Sequence, residues 1–108
     1  MSGTSSHADR LATIRSTWQS SGVLLDPHTA DGLKVAMQHL QKDVPMLVLE
    51  TALPAKFAAT ITEALGASGP VPPVPAALQG IEHLPKRFVV MPVSVPAVKS
   101  FIEMNCAA

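Results

Sequence analysis

Apolar residues first recur at Leu11, Ile14 and Trp18, the i, i+3, i+7 spacing of one helix face, which predicts a helix from His7 to Ser20. Ser6 suits its N-cap, Asp9 suits the positive end of the helix dipole, and Gly22 ends it. A second helix begins at "DPHTADG", with Asp26 as N-cap and Pro27 at the first helical position, where a missing N–H costs nothing. Leu33, Met37, Leu40 and Val44 keep helical spacing up to Pro45, which stops the helix. "PMLVLET" (45–51) is too short for a helix and rich in β-formers, so it reads as a strand buried on both faces. Pro54 opens a third helix with Phe57, Ile61 and Leu65 on one side, closed by Gly66. "KRFVVMPVS" (86–94) reads as a second strand. "VPAVKSFIEMN" reads as a closing helix with Val98, Phe101 and Ile102 facing in.

Strands alternating with helices predict an α/β fold. Two strands cannot build a whole buried sheet, because each needs neighbours on both edges and helices on both faces. The expected fold is therefore helices packed on a small number of strands that normally complete a larger sheet. Residues 1–108 read as one compact unit. Within it, residues 67–80 form a Pro/Gly-rich linker in which Pro70, Pro72, Pro73 and Pro75 favour stiff, extended backbone.

Composition narrows the function classes. A chain of 108 residues has room for one modest core. Lys plus Arg equals Asp plus Glu at 8 each, so no basic face invites nucleic acid. No apolar run approaches the ~20 residues a membrane helix requires. The polar start "MSGTSSHADR" lacks the apolar core of a signal peptide. A single cysteine, Cys106, rules out an internal disulfide and suits a reducing cytoplasm. Mean hydropathy is +0.28, in keeping with apolar surface that belongs against something else.

The stretch "MLVLETALPAKFAAT" poses the functional question: it sets a threonine hydroxyl, Thr51, at the end of an apolar run and just before a helix. Ligands of open α/β sheets lie off the carboxyl ends of strands, so Thr51 is a ligand-contact candidate; the alternative is an ordinary helix cap or turn hydroxyl. Lys56 is either a Schiff-base candidate or a solvated or phosphate-facing cation in the first turn of a helix. Asp26 either caps its helix or marks an anion site there. His7, His28, His39 and His83 lack metal-ligand spacing, and neither a G-x-S-x-G nucleophile turn nor a glycine-rich phosphate loop occurs.

The two motifs "DPHTA" and "ETALPAKF", in that order and about twenty residues apart, resemble the C-terminal part of threonine synthase, and the resemblance runs over nearly the whole chain. It implies a fold type II pyridoxal-phosphate enzyme that converts O-phospho-L-homoserine and water to L-threonine and phosphate. It places on Thr51 the hydroxyl facing the cofactor's ring nitrogen. It places Asp26, His28 and Thr29, and Lys56 near the site. A hydroxyl there, in place of a carboxylate, leaves the ring nitrogen unprotonated and the cofactor a milder electron sink. The family's Schiff-base lysine and phosphate loop lie upstream and have no counterpart here. No catalytic residue is therefore expected in this segment, and the isolated chain is expected to be inactive. The implied partners are the remainder of the chain and a small phosphoester substrate. The alternative is a stand-alone binding or assembly module that pairs with a chain carrying the rest of the sheet.

Overall fold

The structure, a computed structural model, describes residues 2–106. Helix α1 spans His7–Ser21, α2 Pro27–Met37, α3 Ala58–Leu65 and α4 Val95–Asn105. Short 3-10 turns lie at Pro54–Phe57, Ala76–Leu78 and Ile81–His83.

Local chemistry sets the helix ends. Ser6 and Asp9 form a reciprocal capping box at the start of α1: the Ser6 hydroxyl accepts from the Asp9 N–H, and the Asp9 carboxylate accepts from the Ser6 N–H at 2.9 Å. Gly22 terminates α1 at φ 68, a left-handed position that glycine takes without a Cβ penalty. Ser94 caps α4 by accepting from the Ala97 N–H.

Helix α1 is the hub, packing on both α2 and α3. Their shared core is Ile14, Leu25, Ala30, Ile61 and Ala64, flanked by Leu11, Leu24, Leu33 and Leu65. Ile14 and Ile61 are fully buried, and such burial is worth roughly 1.5–3 kcal/mol for each side chain. Polar ties fix the same two interfaces. Arg10 of α1 grips Asp31 of α2 through Nε at 3.0 Å and a terminal nitrogen at 2.7 Å, both to Oδ2. Arg15 donates from Nε to the Ala64 carbonyl at 2.9 Å, satisfying a free acceptor near the end of α3. Beside that contact, half-buried Trp18 lines a cavity of about 620 Å³ with Arg15, Leu65 and Gly69. Ahead of α1, Lys34 Nζ donates to the Thr4 carbonyl at 2.6 Å, holding the N-terminal arm against α2.

The α/β expectation is overturned. Among the described residues there is no β-strand: 45–51 and 86–94 both run without regular structure. The physical reason is hydrogen bonding. A strand exists through a ladder to a neighbour, and among the described residues the backbone of these two runs bonds other backbone only at Ser94, whose N–H donates to the Pro92 carbonyl and whose carbonyl accepts from the Val98 N–H of α4. Their side chains are not buried either: Leu47 is 86% exposed, Leu49 80% and Val90 85%. Apolar runs of this kind predict burial, and only a neighbouring layer supplies it. The second helix also ends earlier than its spacing predicts. Leu40 and Val44 have no core to face, and Asp43 adopts φ 62, which breaks a right-handed helix. In α4, Phe101 is half-buried, but Val98 and Ile102 stay largely exposed, so the inward face expected there is not covered.

The small core makes one substitution decisive. Ile14→Ala is expected to lower stability by about 2–5 kcal/mol, seen as a fall in the urea midpoint. The carboxylates give the pH dependence. Hydrogen bonds from the Ser6 N–H and hydroxyl lower the Asp9 carboxyl. Burial pushes Asp31 up, but the Arg10 hydrogen bonds and the other favourable contacts and charges around the carboxylate together outweigh it, and the net shift is down. Groups depressed in the folded state stabilise it above the unfolded carboxylate value. Urea midpoints should therefore hold from pH 7 to about 4.5, then fall as pH drops below about 4.

Candidate functional site

The segment 26–30 folds around one carboxylate. Asp26 is fully buried at the N-cap of α2. A buried carboxylate needs hydrogen-bond donors on both oxygens, and it has them. Oδ1 accepts from the His28 N–H at 2.9 Å and lies 3.2 Å from His28 Nδ1. Oδ2 accepts from the Thr29 hydroxyl. Burial raises the Asp26 carboxyl, but the Thr29 hydroxyl and the backbone N–H groups of His28 and Thr29 outweigh it, so the group stays below its ordinary range. It is thus ionised near neutrality and only accepts. That fixes His28 Nδ1 as the donor in their contact.

His28 and Thr29 point to opposite environments. Thr29 is buried with Asp26, whereas the His28 ring is well exposed. That ring meets Phe57 edge-on, with centroids 5.0 Å apart. This places "DPHTA" beside the end of "PAKF", although the two are nearly thirty positions apart in sequence.

Thr51 and Lys56 stand differently. Thr51 is exposed in the irregular run ahead of the 3-10 turn, not at the end of a buried strand. Its hydroxyl has no partner among the described residues, so it neither caps a helix nor closes a turn. Lys56 is exposed in the turn Pro54–Phe57, where its N–H bonds the Leu53 carbonyl at 3.0 Å. A Schiff-base lysine needs a desolvating pocket, which this position does not give. Among the described residues no group of three metal-ligating side chains converges.

Sequence reasoning missed three residues. Phe57 reads in sequence as a core position of the third helix, and nothing local marks its contact with His28. Arg10 and Asp31, 21 positions apart, carry no local signal of their pairing, although Asp31 sits one turn along α2 from the capped end. The Asp26-x-His28 spacing is the readable element, since an N-cap carboxylate reaches only the next few residues.

Comparison with known proteins places the chain. Residues 29–102 match the family model described as "Threonine synthase, C-terminal". The chain is 53% identical over 102 residues to threonine synthase of Methylobacillus glycogenes, covering 94% of this chain and 21% of that protein. Against threonine synthase of Corynebacterium glutamicum it is 46% identical over 102 residues, again 94% and 21%. The crystal structure of PLP-bound threonine synthase from Brucella melitensis superimposes with a TM-score of 0.74 at 35% identity, covering 98% of this chain and 22% of that one. The chain thus spans about a fifth of the length of these relatives.

The cap gives a direct test. Asp26→Ala removes the acceptor for the N–H groups of α2 and strands the Thr29 hydroxyl. It should cost about 1–3 kcal/mol in urea unfolding and speed amide exchange at His28 and Thr29. Asp26→Asn keeps one acceptor oxygen and should lose less.

Proposed function

Because this chain belongs to the threonine synthase C-terminal family, we propose that it forms the closing part of a threonine synthase. In that enzyme O-phospho-L-homoserine and water become L-threonine and phosphate. One observation carries the reading: the His28–Phe57 contact joins the two motifs of the resemblance into a single place. The sequence match extends across both of them.

Pyridoxal phosphate, when bound, supplies the electron sink for this replacement chemistry. The residues present fit one part of its environment. The Thr51 hydroxyl, exposed and without a protein partner, suits a single contact to the ring nitrogen. A hydroxyl there leaves that nitrogen unprotonated, which tempers the sink. Asp26 and Thr29 shape the wall from beneath, His28 and Phe57 form its surface, and Lys56 stands at its rim as a solvated cation. No residue of this segment is assigned to hold the cofactor covalently, so the isolated chain is inactive in this reading. Residues 1–108 act as one unit, with 67–80 as a stiff connection inside it, in the cytoplasm. The remainder of the enzyme covers the exposed side chains of 44–53 and 86–93, among them Leu47, Leu49 and Val90.

A second reading, an assembly module docking on a separate chain, draws on the same exposed apolar runs. Mixing distinguishes the two. A module of that kind forms a stable complex with a separately expressed partner and self-associates when left alone.

Two measurements test the main reading. Pyridoxal phosphate added to the isolated chain should give no stoichiometric borohydride-trapped adduct. An adduct on Lys56 would show that this residue holds the cofactor and would sink the assignment above. In a complete threonine synthase carrying this segment, Thr51→Val should lower turnover about tenfold or more and alter the cofactor's absorbance, while Thr51→Ser retains both. Unchanged turnover in Thr51→Val removes Thr51 from the site.

A further inference from the structure

We propose that His28 is a proton acceptor of the site, working through Nε2 on a small ligand that presents an ammonium or hydroxyl proton, with Asp26 as its positioning residue. The inference rests on the threonine synthase reading for the identity of the reaction. It rests on this chain's geometry for the identity of the group.

Three features of the ring lead to it. Its Nδ1 is 3.2 Å from a fully buried carboxylate that only accepts, so the Nδ1 proton is fixed and the lone pair lies on Nε2. Its edge-on contact with Phe57 restricts how the ring turns. The side chain is 60% exposed and Nε2 has no partner among the described residues, so the lone pair is presented outward. A histidine held on one nitrogen by a buried carboxylate, with the other nitrogen open, is the arrangement that makes imidazole an effective base.

Local charge favours a proton donor over an anion as the ligand. Asp26 faces the ring from the same helix end and has no Lys or Arg partner. Asp31, the other acidic group of α2, is already neutralised by Arg10 of α1. Lys56 is the one charged residue of the turn that brings Phe57 against the ring. The N–H groups of His28 and Thr29 are taken by Asp26, so the helix end itself offers nothing to a phosphate. The proton transfer is simple. The ligand's N–H or O–H bond breaks, its electron pair stays on that nitrogen or oxygen, and a new N–H bond forms at Nε2. Asp26 stabilises the resulting imidazolium.

The test has two arms. Nitrogen-15 spectra of the 108-residue chain should find His28 protonated on Nδ1 near pH 8, and Asp26→Asn should erase that preference. A ring protonated on Nε2 overturns the inference directly. In the complete enzyme, His28→Gln should lower kcat on the order of a hundredfold and remove the acid limb of the pH–rate profile. Asp26→Asn should lower kcat and shift that limb while KM changes little, and the exposed control His83→Gln should leave both unchanged. A His28→Gln enzyme with full kcat beside an active parent overturns the inference alone. A parent that makes no threonine overturns the functional reading and the inference with it.

Discussion

A carboxylate with no access to water governs the first half of this molecule. Asp26 must be satisfied entirely by protein donors, and only a helix beginning at Pro27 brings the N–H groups of His28 and Thr29 to it. The same requirement turns Thr29 inward, where its hydroxyl takes Oδ2, and leaves His28 outward with one ring nitrogen held. Helix start, buried neighbour and exposed imidazole are thus three results of one desolvated charge. Because its donors are dipoles rather than a full cation, the group stays responsive to a proton arriving on His28.

Around that point the packing is economical. Helix α1 contacts α2 through Ile14 and the Arg10–Asp31 pair, and α3 through Ile14 and Arg15. Each interface combines an apolar contact with a directional polar one. Burial supplies most of the free energy, while the guanidinium groups fix which turn of one helix faces which turn of the other. The chain beyond α3 has no comparable arrangement. Most of its large apolar side chains are exposed, and α4, with Phe101 only half-buried, holds no fully buried residue.

Legibility in the sequence follows the range of the interaction. The ends of α1, the start of α2 and the start of α4 are set by residues within four positions; Ser6, Gly22 and Asp26 declare theirs in the sequence, whereas Ser94 reads there as the end of a strand and caps α4 in the structure. The 46–50 and 88–91 runs carry β-forming residues, but a strand is a relation between two segments and neither run is paired among the described residues. Leu40 and Val44 mislead for a related reason: helical spacing promises a face, and nothing lies opposite it. At the candidate site, Asp26 and His28 stand within a local motif and were readable. Phe57 reaches His28 from the far side of a long irregular run, and its role emerges only in three dimensions. The place of Thr51 was likewise hidden, since it hung on a strand that does not form.

The position of Trp18 carries an optical consequence. The chain has no tyrosine and a single tryptophan. That indole lies where α1 meets the end of α3, beside the Arg15 contact to Ala64. Ultraviolet emission from the molecule is therefore a one-residue signal, and its colour registers whether this one seam is wet or dry. Rearrangements confined to residues 86–105 pass in the dark, and a label placed there is needed to see them.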